Sequence, residues 1–514
     1  MSSRVLRVWA SLAALWVVLG SARGPAADRP AATPPRAALD IDALLERHWR
    51  DAGVRPAAEA DEVTQFRRLM LDLTGRPPNA AEAAAFAADR SLDRYAATAK
   101  RLVAGPEFEW HFATVLDEIV QGRYAGSEAF VGYLRGAMRD GKGWDAIFRE
   151  VLVGPWDTPS RKPAVGFLDR SARDLDVLTV DTARAFFGVD VSCARCHDHP
   201  LVDDWKRDHY YGMAAFFART TGGKGAITEK SDGEATFAGK NGKERVAPLM
   251  FLSGRVVEQP QAATGGKPPP FNRREALVRV ALEERRFFSR AFVNRVWEYF
   301  HGRGLVSPVD QMHSANPASV PGLLDALADD FAAHGYDVRR LVAAVVLSRS
   351  YRLDSRWAGS EPPAARLFAV ARLRPLSPRQ FARSVVVATG DGTFDGSPAA
   401  LAALDKRAAE LLPAIDPRAA DFQSSTREAL FVSNAEPVRK LIATDGNNLA
   451  GRVAGEKGDL ALVRAAVAAV YSRPATESEV ADLTAWLRKQ PDRRAAAEDL
   501  VWALVASAEF RFNH

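Results

Sequence analysis

Cysteine is nearly absent from this chain: 514 residues contain two, and both fall in one run, Val191-Ser-Cys-Ala-Arg-Cys-His-Asp-His-Pro200. That excludes the four-cysteine form of a zinc knuckle and leaves no thiol to spare for another purpose. Methionine is scarce too, at 6, and Met213 is the one that lies a helix away from the cysteine run. Long apolar runs are missing. The most apolar stretch, Val8 to Leu19, is a dozen residues, whereas a spanning helix needs about 20. An excess of one charge is missing as well, since a net charge of +5 is made from interspersed acids and bases. That pattern excludes a nucleic-acid footprint and a basic membrane-surface tract. After Phe271 there is no cysteine, and His301, His313, His334 and His514 form no HExxH-like ligand pattern.

What is present is a soluble globular composition, 47% apolar and 26% charged, on a chain long enough for two domains or more. Residues 1–22 read as a secretory signal: Arg4 and Arg7 supply the positive start, Val8 to Leu19 the apolar centre, and Gly20-Ser-Ala22 a small-residue cleavage site. The expected location is therefore periplasmic or extracellular, with no transmembrane segment once the signal is removed. Residues 23–39, rich in Pro and Ala, read as a disordered linker.

From Asp40, a candidate N-cap, helical periodicity takes over. Helices are expected at 94–104, 107–121, 127–139, 144–153 and from Leu175 to a stop at Gly188, with a further one carrying Tyr210, Met213, Phe216 and Phe217. Residues 223–270 change period. Asp232-Gly233 and Asn241-Gly242 separate short strand-like runs, and Thr264-Gly-Gly-Lys-Pro-Pro-Pro270 follows. The expected fold class is mainly α, with two helical domains, 40–222 and 271–514, joined by a small β-ribbon and that Gly/Pro-rich loop. An internal repeat links the two ends: Arg76-Pro-x-Asn79-x-x-Glu82 recurs as Arg473-Pro-x-Thr476-x-x-Glu479, and Leu102-Val-Ala-Gly-Pro-Glu107-Phe108 as Leu504-Val-Ala-Ser-Ala-Glu509-Phe510. Chance matching of Ala-rich helices competes with one helical hairpin used twice.

Cys193-x-x-Cys196-His197 carries the sharpest chemistry. Two thiols at this spacing can each form a thioether to a porphyrin vinyl while the next imidazole binds the iron, so covalent haem c is the leading reading, with Cys193 and Cys196 as attachment points and His197 as iron ligand. Met213 is the candidate sixth ligand, with His209 a rival and an open position a third option. The alternatives are a zinc or iron site using Cys193, Cys196 and His197 or His199, with His209 added, a CxxC disulfide and a thiol redox motif. Other residues have structural readings. Trp49, Trp110 and Trp297 suit core packing, Asn294 and Arg295 a buried hydrogen-bond network, and Asp198, Asp203, Asp204 and Asp208 a group of solvated acids.

The chain resembles a family abundant in planctomycete bacteria, in which a cytochrome c-like domain precedes a planctomycete-specific domain of unknown function. Phe66-Arg-Arg-x-x-Leu-Asp-Leu-Thr-Gly-Arg-x-Pro78, Cys193-x-x-Cys-His-Asp-His-Pro200 and Trp205 with Tyr210-Tyr-Gly-x-Ala-Ala-Phe-Phe217 carry the first half of the resemblance. Arg290-Ala-Phe-Val-Asn-Arg-Val-Trp297, Gly302-x-Gly-Leu-Val306, Leu347-Ser-x-Ser-Tyr351 and Ala508-Glu-Phe-x-Phe-Asn-His514 carry the second. Where the family has an acidic pair after Pro308-Val309, this chain has Asp310 followed by Gln311 and Met312, so the role of a second carboxylate is not carried over. The resemblance implies electron transfer or redox service to an exported partner or enzyme. A metal-dependent hydrolase or haem oxidase linked to polysaccharide breakdown is the enzymatic alternative, and a scaffold with a structural CxxCH the non-catalytic one.

Secreted protein should begin near Arg23, because the leader is too short to anchor. N-terminal sequencing checks this, and an intact Met1 on secreted material refutes it.

Overall fold

The computed structural model describes residues 36–122, 127–200, 202–223, 226–239, 242–260, 271–412, 435–444 and 446–514. The signal, most of the 23–39 linker and the Gly/Pro stretch 264–270 lie outside the described residues. The protein is mainly α-helical, and its described strands form only two-stranded antiparallel ladders. None of the described helices is long and apolar enough to cross a membrane.

Local chemistry sets most helix starts. Asp61, Asp174, Asn272, Asp337, Ser377 and Asp492 each accept a backbone N–H of the first turn, satisfying donors that have no partner inside the helix. Asp40 does not cap as expected. The first helix spans Arg36–Asp51, so the end of the expected linker is helical and Asp40 sits inside; Arg-Ala-Ala-Leu are good helix formers and prolong the segment. The single ribbon expected at 223–270 is three separate ladders, Thr220–Gly223 with Ala226–Glu229, Thr236–Ala238 with Glu244–Val246, and Leu249–Met250 with Val256–Val257. Each described strand pairs with its immediate neighbour in sequence, so the described residues build no wider sheet.

The hydrophobic core does not divide at 264–270. One core runs from Ile41 to Ala369 and a second from Leu376 to Phe510, with Leu71 reaching into the second. Aromatic side chains join the first across the β region: Trp144 stacks on Phe292 at 4.4 Å, and Phe148 lies 4.8 Å from Phe186 and 4.7 Å from Phe288. The helices Leu175–Phe187 and Arg286–His301 pack directly on each other, as do Arg94–Ala104 and Val338–Leu347. Composition marked a linker, but burying these large rings outweighs it.

The repeat is structural. Arg76 grips Glu82 at 2.7 and 2.8 Å and Glu107 at 2.7 and 2.9 Å. Arg473 grips Glu479 at 2.8 and 2.7 Å and Glu509 at 2.6 and 2.8 Å. Each arginine also donates to the carbonyl of its following proline at 3.1 Å, and both glutamates that close the first turn belong to full capping boxes, with Asn79 and Thr476 as N-caps. The two copies touch where Ser472 Oγ donates to the Pro78 carbonyl at 3.0 Å.

A buried carboxylate joins the two cores. Asp72, wholly buried, accepts from Arg374 Nη2 at 2.6 Å, Tyr351 Oη at 2.7 Å and Asn513 Nδ2 at 2.8 Å. Beside it Arg374–Pro375 pairs with Phe512–Asn513. Burial, reinforced by the Asp72 charge, pushes the Tyr351 phenol well up, so it remains a neutral donor.

Arg76→Ala should cost about 3–5 kcal/mol, because it strands two carboxylates around a guanidinium site that is 1% exposed. Arg473→Ala should cost less, its guanidinium being 25% exposed. Urea denaturation of both variants checks this, and equal losses would show that burial does not set the cost.

Candidate functional site

The CxxCH segment begins where the helix Leu175–Phe187 ends. Gly188, at φ 65°, stops that helix in the left-handed region, which costs glycine little. A side chain there would also be crowded, since a Cβ would sit 3.0 Å from Met312 Sδ and 3.1 Å from the Val309 carbonyl oxygen. The chain then runs along a strip from the second half. Met312 N donates to Gly188 O at 3.1 Å, Asp190 N donates to Asp310 O at 2.8 Å, and Val189 bridges Gln311. The strip is itself anchored, because buried Asn294 binds both the N–H and the carbonyl of Val306 at 2.9 and 2.8 Å. This is the buried hydrogen bonding expected for Asn294, and Arg295 makes a separate bond, donating to Arg184 O at 2.6 Å.

The turn itself, Ser192–Arg195, is a single 3-10 turn. Val191 and Ala194 plug it into the core. The Asp190 carboxylate accepts from Ser192 N at 2.9 Å and Arg184 Nη2 at 2.6 Å; burial would raise its pKa, but these hydrogen bonds and the Arg184 charge hold it below the usual carboxylate range. On the other side Arg195 pairs with Asp176 at 2.6 Å, and the Tyr210 hydroxyl donates to the same carboxylate. The Cys193 and Cys196 thiols are free and exposed on this braced turn, so they are not joined as a disulfide.

His197 is exposed, and its Nδ1 lies 2.8 Å from the Asp198 carbonyl. A carbonyl only accepts, so Nδ1 carries the hydrogen and Nε2 keeps a bare lone pair. Two free thiols and a bare imidazole nitrogen on one turn are the donor set that covalent haem requires, so these residues fit the group.

The other expected ligands are placed differently. Met213 is wholly buried in the main core, on a helix, Arg207–Phe217, that packs against the CxxCH turn. His209 Nδ1 accepts the Lys206 N–H at 3.1 Å, closing the start of the helix Arg207–Phe217, and its ring meets Trp205 edge-on; burial lowers its pKa. His199 is held through its backbone, donating to Trp205 O at 2.8 Å. Among the described residues no three His, Cys, Asp or Glu side chains converge as a metal site, so the zinc alternative of Cys193, Cys196, His197, His199 and His209 is not assembled.

Two of the four acids tie backbone N–H groups, while Asp203 pairs with Lys206 and Asp208 with Arg245. Asp198 accepts the Arg207 N–H at 3.0 Å, and Asp204 accepts the Ser314 N–H at 2.8 Å and the Ser314 hydroxyl. Trp49 and Trp297 are core residues as expected, whereas Trp110 is half-buried, with its Nε1 donating to Asp405 at 2.6 Å and the Arg135 guanidinium 3.3 Å from its ring centre. Sequence reasoning missed the contribution of 310–314. It lies more than 100 residues downstream, and no motif spacing couples it to the cysteines; only the resemblance singled out its neighbourhood.

Residues 40–222 match the family model PSCyt2, described as a protein of unknown function (DUF1549), and residues 273–410 match PSD1, described likewise (DUF1553). No curated protein and no solved structure matches the chain. The CxxCH turn lies within the first match and the strip that braces it within the second, and the chain thus carries these two domains of unknown function in tandem, PSCyt2 ahead of PSD1.

Proposed function

We propose that the chain is an exported c-type haem-binding protein that transfers electrons to, or serves the redox chemistry of, another exported protein. The observation that carries this reading is the braced turn on which two free, exposed thiols stand beside an imidazole whose Nε2 is bare. The name of the first matched family, PSCyt2, is in keeping with a cytochrome-like domain.

Each residue has a separable task. Cys193 and Cys196 would each add a thiol across one vinyl, the sulfur bonding one carbon and the thiol hydrogen going to the other. Their exposure leaves both sulfurs accessible to attachment from solvent. His197 would hold the iron through Nε2, its ring orientation fixed and its basicity raised by the Asp198 carbonyl at Nδ1. Arg195, Asp176 and Tyr210 keep the turn from shifting. When bound, haem supplies a one-electron couple tuned by its ligands and burial.

Protein matured in a haem-attaching host should gain the mass of one haem. Cys193→Ala or Cys196→Ala should leave at most one thioether, and His197→Ala should keep the haem attached with an altered Soret spectrum, because thioethers and iron ligand are independent bonds. Intact mass and absorption spectra check this. Wild-type protein without covalent haem refutes the proposal, and metal content lost on mutating any of the three would point to zinc instead.

A further inference from the structure

Three of the nine histidines, His197, His199 and His209, follow the two cysteines closely in sequence, and His313 lies on the strip that the second half pairs with the segment just before them, within electrostatic reach of His199 and Asp204. The strip is fixed on both sides of His313. Upstream, Met312 N donates to Gly188 O at 3.1 Å and Gln311 bridges Val189. Downstream, Ser314 is tied to Asp204 by its N–H at 2.8 Å and by its hydroxyl, and Asn316 folds back, N donating to His313 O at 3.0 Å and Nδ2 to Gln311 O at 2.9 Å. The His313 backbone is thus held against the segments that flank the CxxCH turn before and after it, as a ligand-bearing backbone must be.

The side chain has an unmet need. His313 Nδ1 is buried and has no hydrogen-bond partner. Leaving a buried polar atom unpaired is destabilising, and most such atoms in folded proteins are satisfied. Of the competing donors, His209 Nδ1 is taken by the Lys206 N–H.

We infer that His313, delivered by the PSD1 domain on the strip paired with Gly188 to Asp190, is the second axial ligand of the haem that His197 would hold from the PSCyt2 domain. The inference rests on the haem reading above. It makes the redox centre a joint product of both domains, six-coordinate with two imidazoles and closed to small exogenous ligands, as suits electron transfer rather than oxygen chemistry.

The test uses full-length protein matured with haem, with intact mass reporting attachment separately from the spectra. Wild type should be low-spin, with the electron paramagnetic resonance and near-infrared dichroism signature of two imidazole ligands. His313→Ala should keep covalent haem but become high-spin, and added imidazole should restore the low-spin state, which also shows that the variant is folded. His313→Met should give a sulfur-to-iron charge-transfer band. Met213→Leu, which conserves core volume, should leave the wild-type spectrum unchanged. A high-spin wild type, a low-spin His313→Ala variant without imidazole, or loss of the low-spin state in Met213→Leu overturns the assignment while leaving haem attachment standing. Absence of covalent haem by mass overturns the reading beneath it.

Discussion

A carboxylate with no access to water governs the architecture. Asp72 is wholly buried, and an isolated charge there would cost several kcal/mol. It persists because Arg374, Tyr351 and Asn513 converge on its two oxygens while Tyr299 donates to its backbone carbonyl at 3.0 Å. These partners come from separate stretches as far apart as Tyr299 and Asn513. Satisfying one buried acid therefore fixes the relation between the core that ends at Ala369 and the core that begins at Leu376. Neighbouring arginines extend the same joint, Arg67 donating to Phe512 O at 3.1 Å and Arg68 to Leu353 O at 3.0 Å.

The repeated arginine clamps use a related device at the two ends. In each, one guanidinium holds two glutamates from different helices, and one of those glutamates also closes a capping box. The clamp thus locks helix direction and helix packing with one side chain, and the copies differ chiefly in exposure, Arg76 being 1% and Arg473 25% exposed. Both lie away from the thiols and serve the frame.

That frame matters to the site because the CxxCH turn has little structure of its own. A 3-10 turn supplies few internal hydrogen bonds, and its conformation comes from what surrounds it: the left-handed stop at Gly188, the Asp190 and Asp176 carboxylates, and the strip 309–314 anchored through Asn294. The continuous aromatic core between the helices Leu175–Phe187 and Arg286–His301 keeps turn and strip in register. The haem centre proposed above would benefit from such rigidity, since fixed ligands reduce the rearrangement that accompanies electron gain or loss.

The sequence by itself determined what depends on near neighbours. Helix type and most helix limits followed from 3.6-residue periodicity and caps; Arg94–Ala104 and the helix from Leu175 that stops at Gly188 match the expected limits, and the repeat motif was readable because both clamps close largely within it. The cysteines, their spacing and His197 were legible because thioether and imidazole chemistry acts within five residues. What only tertiary structure decided was everything set by distant burial. The core ignored the low-complexity linker because large aromatics on either side bury more surface together than apart, and the linker end at Arg36 became helix. Met213 was buried by the apolar face of its own helix, and the Nδ1 of His209 was drawn into a helix start. His313 and Asp204, 109 residues apart in sequence, entered the site only because packing laid one half of the chain beside the other, a pairing for which local pattern carries no physical signal.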